Sequence, residues 1–389
     1  MVSTEVTGRG PAHERMAAIA EHAGLRRIQV LTMRAADDPE AGGAEEHADQ
    51  IARHWAASGI EVQVRAAAVP GHPAVTEQDG YRTVRRGGPV TVFPRSAAAA
   101  ALRRDGPWDA LLEVSHGLPF WSPLWTRRPK VLFVHHVLQG VWHLQTGGGP
   151  IARLGEVLER VALPRVYRGS AVMAPSPSTR DALVDLGLRS ERVGVALNGI
   201  ADRFCPGGER SPTPLLVAAG RLTPQKGFDR LLEVLAALDR PDVRLQVVGD
   251  GRSQPDLERQ AAELGVADQV TFLGRIDDDA LVEAYRRAWL LVSASHREGW
   301  GLTITEAAAC GAPAVVTHIP GHVDAVVTDE TGLLAGSVSE MAEAVARLVD
   351  DPTALARLSE GALAWAAELR WDAAAEAILQ TLAAQVRRS

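Results

Sequence analysis

The chain has little cysteine, little lysine and no long apolar run, and each shortage removes a class of protein. Two cysteines, Cys205 and Cys310, stand far apart in 389 residues with no metal-ligand spacing, so neither a disulfide framework nor a zinc module is available. Cys310 falls in an alanine-rich stretch and reads as a small packing residue rather than a reactive thiol. No apolar run approaches the roughly 20 residues of a transmembrane helix. The leader MVSTEVTGRGPAHER lacks the apolar core of a secretory signal. These absences fit a reducing, cytoplasmic setting. The net charge of −7 supplies no general basic face, so nucleic acid is not an expected partner. The opening loop lacks GxGxxG, which speaks against a nicotinamide dehydrogenase.

What is present describes an ordered α/β protein. Hydrophobic residues make up 46% and charged residues 23%, which excludes a disordered chain, and the length calls for two domains. A helix is expected over 12–23, a strand over Arg27–Thr32, a glycine loop at Gly42 and Gly43, and a helix over Glu45–Ser58. Further strands are expected at Glu61–Arg65, Val90–Phe93, Ala110–Val114, Lys130–His135 and Ala171–Pro175. The stretch Asp202–Pro214, rich in Gly, Pro and Ser, makes the best boundary. A second series follows, with strands at Leu215–Ala219, Arg244–Val248, Val270–Leu273, Leu290–Ser293 and Ala314–Thr317, and helices beginning near Gly227, Pro255, Ala280 and Thr305. Alternating strands and helices argue parallel, doubly wound sheets. Gly220, Gly249, Gly274 and Glu298 each directly follow a strand, on the sheet edge where ligands bind.

Two motifs on that edge carry chemistry. EGWGLTITEA, Glu298 to Ala307, sets two carboxylates eight residues apart around a glycine turn that opens a helix, whose positive end favours a diphosphate. LLVAAGRLTPQKG, Leu215 to Gly227, places Arg221 and Lys226 in one loop, a fixed positive clamp for a pyrophosphate. Lys226 stands out because the chain has only one other lysine, Lys130. The run Asp277–Asp279 follows FLGRI at a helix start, where acids cap the helix, and is not read as a metal motif.

Together with VVGDG (Val247–Gly251), FLGR (Phe272–Arg275), ALNGI (Ala196–Ile200), APSPSTR (Ala174–Arg180) and EAGGAEEHA (Glu40–Ala48), these motifs resemble the family 4 retaining glycosyltransferases of GT-B fold, over nearly the whole chain after residue 26. The resemblance implies two Rossmann-like doubly wound domains with a cleft between them. An acceptor-binding domain would span 1–205 and a nucleotide-sugar domain 206–370, with 371–389 a helix packing back on the first. It implies that Arg221 and Lys226 bind the donor diphosphate, that Glu306 binds the ribose hydroxyls and that Glu298 faces the transferred sugar. Gly220, Gly249, Gly274, Arg275, Gly299, Trp300, Gly301, Leu302 and Thr303 complete the donor cradle, and Gly42 and Gly43 approach its phosphates from the first domain. His135, at the end of VLFVHH, matches a family histidine facing acceptor and donor sugar, although His136 replaces the commoner acidic neighbour. His116 and His143 are weaker candidates. Phe120, Trp121, Trp125 and Trp142 read as packing or as a platform bordering the acceptor.

The implied reaction moves a hexose from a UDP- or GDP-sugar to an acceptor hydroxyl of a natural product, glycolipid or glycan, with retention and without a metal or other cofactor. Two alternatives share the motifs: a catalytically silent nucleotide-sugar-binding protein or partner subunit, and a phosphorylase or sugar-phosphate synthase of the same fold. Membrane involvement is at most peripheral, at the inner face, through the basic runs Arg103-Arg104 and Arg127–Lys130.

Overall fold

The structure, a computed structural model, describes residues 10–386, apart from the side chains of residues 145 and 146. The chain forms two compact units, one from the residues up to Gly199 together with those from Arg370, the other from Ile200–Leu369.

The first unit is built on an eight-stranded sheet of β1 (Arg27–Leu31), β2 (Glu61–Ala66), β3 (Val75–Gln78), β4 (Tyr81–Arg85), β5 (Ala110–Ser115), β6 (Lys130–Val134), β7 (Ala171–Ala174) and β8 (Val193–Val195). Its order is β3-β4-β2-β1-β5-β6-β7-β8, parallel except for the β3–β4 hairpin. The central strands are buried on both faces and mostly apolar, as expected of strands covered on both sides by helices. The second unit carries β9 (Leu215–Ala219), β10 (Arg244–Val248), β11 (Val270–Gly274), β12 (Leu290–Ser293), β13 (Ala314–Thr317) and β14 (Gly332–Ala335) in the order β11-β10-β9-β12-β13-β14, all parallel. Its helices pack Leu231, Leu235, Val345 and Leu348 onto Leu216, Val247 and Val292. Both units are Rossmann-like, the pairing that defines GT-B architecture.

One expected strand is corrected. Val90–Phe93 is not a strand: residues 90 and 91 form a turn, and a helix runs Val92–Ala101. The reason is local, since Gly88 N donates to Thr91 Oγ1 at 2.8 Å and the alanine run that follows is a strong helix former. The strands in this region are β3 and β4, joined at Asp79-Gly80, both with positive φ (54° and 81°), the geometry of a type I′ hairpin turn. The expected strands did not include β3, β4, β8 or β14.

The division between units falls after Gly199, not after 205. Phe204 is buried 6.0 Å from the Tyr285 ring, and Arg286 Nε donates to Cys205 O at 3.0 Å, so these residues fold with the second unit. Gly199 stays with the first, so close to the last helix that a Cβ would lie 2.1 Å from Trp371 N. That helix, Trp371–Val386, packs on the helices Pro11–Ala23 and Gly43–Ala57. Trp55 Nε1 donates to Ala375 O at 3.0 Å, and Arg15 pairs with Glu376 at 2.7 Å.

Trp55 is therefore expected to be the main tie for the terminal helix. Trp55→Ala should cost ~3–5 kcal/mol in chemical denaturation, the range for emptying a large core site. Trp55→Phe, which keeps a ring but loses the hydrogen bond to Ala375 O, should cost less, and equal losses would show that the hydrogen bond and not the ring dominates.

Candidate active site

In the second unit the chain runs from β9 outward through β10 to β11, then returns to the other side of β9 to begin β12. The carboxyl ends of β9 and β12 are thus the topological switch point, where open α/β sheets bind ligands. The loop after β9 holds Gly220, Arg221 and Lys226, and the loop after β12 holds Ser295 and Glu298. Both loops are drawn together by backbone contact. His296 N donates to Gln225 O at 2.9 Å, and Gln225 Nε2 donates to Arg297 O at 3.1 Å. Gly227 sits at φ 63° with its Cα so close to β12 that a Cβ would lie 2.1 Å from Ala294 O, so no other residue fits.

This contact delivers Lys226 Nζ to Glu298 Oε1 at 2.6 Å, and Ser295 Oγ donates to the same oxygen at 2.8 Å. Burial pushes the Glu298 carboxyl up, but the Lys226 charge, His322 and the hydrogen bonds from Lys226 and Ser295 outweigh it and hold it below the ordinary 4.5. Glu298 is therefore ionised at neutral pH. Behind it stands His322, which the sequence reading missed. Its Nδ1 donates to Thr317 O at 3.0 Å, which leaves Nε2 as the acceptor facing Ser293 Oγ at 3.4 Å. Burial brings its pKa down to about 4, against the opposing pull of the Glu298 carboxylate, so the ring is neutral. Gly321 belongs to the same wall, since a Cβ there would lie 2.7 Å from Glu298 O. A glycine and histidine in the short loop beyond the apolar strand β13 were the available signal.

Lys226, Ser295, Glu298, Gly301, Thr303 and His322 line one small pocket. Gly301, at φ 109°, is the residue before the helix Leu302–Ala309, which starts three residues earlier than expected. The first N–H groups of a helix have no partner inside it, so this turn points donors and a positive dipole end at the pocket. Trp300 between the glycines is buried. Glu306 lies on the same helix, where Tyr285 Oη donates to Glu306 Oε2 at 3.3 Å. Gly220 and Gly249 serve the approach of neighbouring loops, since a Cβ on Gly249 would lie 2.1 Å from Gly220 O. Gly249 N in turn donates to Gly274 O at 2.8 Å. Arg275 is exposed at the end of β11. Asp277 Oδ1 accepts from Ala280 N at 2.8 Å and caps its helix as expected. Among the described residues no group of His, Cys, Asp or Glu is arranged to hold a metal ion.

The remaining predicted residues belong to the first unit. Its own switch point lies between β1 and β5. Gly42 and Gly43 follow β1 and open the helix Gly43–Ala57, where Gly42 N donates to Glu45 Oε2 at 2.9 Å. Gly42 is extended (φ −147°, ψ −159°), so no left-handed backbone demands glycine there. His135 directly follows β6 and is buried edge-on to His47, with ring centroids 4.8 Å apart. Burial, and then the neighbouring His47, His116 and His136, hold its pKa well below the ordinary 6.5. His116 stacks edge-on to His136 at 4.6 Å. Phe120 and Trp142 are core residues, and Trp125 Nε1 donates to Phe120 O at 2.9 Å. Trp121 stays half-buried beside the Tyr167 ring at 6.2 Å. His143 is exposed.

Paired Rossmann-like units with a cation and a carboxylate at a helix start are the frame of a sugar-transferring enzyme. Residues 204–365 match the family model described as glycosyl transferases group 1, and residues 41–204 match glycosyltransferase family 4. A D-inositol 3-phosphate glycosyltransferase of Acidothermus cellulolyticus is 31% identical over 95% of this chain and 93% of its own. The protein of that name from Frankia alni is 31% identical over 88% and 94%. Among solved structures, a sucrose-phosphate synthase from Thermosynechococcus elongatus aligns with TM-score 0.79 at 22% identity, over 91% of this chain and 97% of that one. HepE from Anabaena, in complex with UDP and glucose, aligns with TM-score 0.73 at 21% identity, over 92% and 100%. The chain belongs to the glycosyltransferases of GT-B fold, which transfer sugar from a nucleotide-sugar donor.

The buried neutral His322 generates a pH prediction. Its folded pKa of about 4 lies below the ordinary 6.5, so the unfolded chain takes up the proton first as pH falls. The contribution is complete above pH 6.5 and is lost on the way down to about pH 4, on the order of 3 kcal/mol at ~1.4 kcal/mol per unit. Glu298 acts lower: its share is present above 4.5 and lost as pH falls through its depressed value. Urea denaturation from neutral pH to pH 4 should show a shallower loss for His322→Gln than for wild type. Identical slopes would mean that His322 does not stay neutral.

Proposed function

We propose that this chain is a retaining, metal-independent hexosyltransferase using a UDP-sugar or GDP-sugar, with UDP the first to test. The observation that carries the reading is the Lys226–Glu298 pair at the switch point, beside the start of the Leu302–Ala309 helix. UDP is favoured because HepE, of the same fold, is described with UDP and glucose.

In this reading the diphosphate rests against Arg221, Lys226 and the N–H groups of the Gly299–Thr303 turn, the ribose hydroxyls bond to Glu306, and the sugar lies over Glu298. As the bond from the anomeric carbon to the diphosphate oxygen breaks, the acceptor hydroxyl attacks the same face. The departing oxygen takes the hydroxyl proton, and its growing negative charge is met by Lys226 and Arg221. The Glu298 carboxylate stabilises the cationic anomeric centre without bonding to it. His135, neutral and buried at the end of β6, orients the acceptor, and Gly42 and Gly43 bring backbone toward the phosphates. The acceptor is a hydroxyl of a small molecule, glycan or glycolipid in the cytoplasm; D-inositol 3-phosphate heads the screen because the relatives carry that name.

Calorimetric titration with UDP-, GDP-, ADP- and dTDP-sugars, followed by an acceptor screen by mass spectrometry, tests this. Glu306→Ala should weaken donor binding by about tenfold or more, through loss of charged hydrogen bonds. Lys226→Ala should lower kcat by about 10²–10³, the cost of one lost charge stabiliser. Glu298→Gln should lower kcat far more than it changes KM. Donor binding without transfer to any acceptor would support a silent binding protein, and wild-type turnover in all three variants would remove the site.

A further inference from the structure

In the segment Gly149–Arg168 of the first unit, the stretch 149–162 is built inside out. Its helix Gly149–Val157 continues through a π-helical turn, Leu158–Ala162, into Leu163–Val166. Over 149–162 the fully buried positions are small or polar, and only beyond them do Leu163 and Tyr167 turn into the core. Ala152 is buried, and Gly155 lies against Trp142 so closely that a Cβ would meet its Cε3 at 2.5 Å. Glu159 is 2% exposed, its carboxylate accepting from Leu138 N at 2.7 Å and Trp142 Nε1 at 3.1 Å. The large apolar residues point the other way: Ile151 is 69% exposed, Leu154 58% and Val157 51%, and Val161 extends the ridge. A helix of a water-soluble protein places such residues on its buried face.

The ridge is flanked by cations. Arg153 and Arg160, two turns apart, and then Arg165 and Arg168 are all exposed. Besides Glu159, Glu156 is the only carboxylate on the segment, and it is half-buried. An apolar ridge bordered by arginines is the pattern of a helix lying in the interface of an anionic bilayer. A second copy of the chain is disfavoured, because a twofold contact through this ridge would set the arginine rows against each other. The basic run Arg127–Lys130 is not this surface: Arg128 Nη1 donates to Trp108 O at 2.5 Å with its guanidinium over that ring, and Lys130 Nζ donates to Arg128 O at 2.9 Å.

We propose that Gly149–Arg168 seats the first unit on an anionic phospholipid surface, with Ile151, Leu154 and Val157 entering the acyl boundary and Arg153 and Arg160 meeting lipid phosphates. The inference is independent of donor and acceptor identity.

Flotation of the purified full chain with vesicles tests it, using equimolar phosphatidylglycerol and phosphatidylcholine against phosphatidylcholine alone. Wild type should float with the anionic vesicles and be released by salt. The double variant Leu154→Asp/Val157→Asp should bind at least about tenfold more weakly, through loss of the buried apolar area. Arg153→Gln/Arg160→Gln should lose about thirtyfold on anionic vesicles, at ~1 kcal/mol per cation. Unchanged melting temperatures in both variants report an intact fold. Failure of wild type to float with anionic vesicles overturns the proposal, as do variants that float like wild type. A dimer in light scattering that the Asp variant dissociates overturns it in favour of a second copy.

Discussion

The ion pair between Lys226 and Glu298 is the contact around which the second unit's switch point is arranged, and the sheet topology produces it. The two residues lie 72 positions apart in sequence and meet because β12 returns to the flank of β9. The pair is partly buried, so its charges are poorly screened, and a lone Glu298 in that setting would be driven toward its neutral form. Ser295 and the neutral His322 finish the setting: one donates to the carboxylate, the other closes the wall behind it without adding a second permanent charge. In the proposed function a diphosphate meets a lysine that is already partly desolvated and held by Glu298, so sharing that lysine costs little fresh desolvation of a solvated cation.

Glycine placement is the second constraint, and it acts differently in the two units. In the second, Gly227, Gly249 and Gly321 are required because another backbone occupies the volume of a side chain. Those glycines let three loops converge on one edge within hydrogen-bond range. In the first, Gly42 has an ordinary extended backbone, and its structural work is to open a helix whose Glu45 turns back to hold it. The same residue type thus fixes the loops of the second unit by close approach while marking only a helix start in the first.

The second unit was largely readable from sequence because its strands are short, mostly apolar runs of four or five residues, and most of them lead into a glycine or charged motif. The capping role of Asp277 was equally visible, since acids at a helix start act within a few residues. Where long-range packing decided the outcome, the reading fell short. His322 carries only the weak local pattern of a Gly-His pair beyond β13; its importance arises from the pairing of β12 with β13, which brings Thr317 and Ser293 to either side of its ring. The β3–β4 hairpin was announced by Asp79-Gly80, but Tyr81–Arg85 alternates too weakly to read as a strand, and the valines at 90 and 92 drew the assignment there instead. The exposed ridge on Gly149–Arg168 was invisible for a related reason: periodicity marks an apolar stripe but not which side of it faces the protein.

The first unit is assembled from both ends of the described chain, and this orders events during synthesis. When Gly199 leaves the ribosome, the sheet from β1 to β8 is complete, yet Trp55 lacks the Ala375 carbonyl and the apolar faces of the Pro11–Ala23 and Gly43–Ala57 helices lack their cover. The whole of Ile200–Leu369 must be made before that cover arrives. The later unit, contiguous in sequence, can close first, while the earlier one waits with an unsealed face. Nascent chains stalled after Leu369 but before the terminal helix would hold a finished second half and an unfinished first, and that interval is where a chaperone has most to shield.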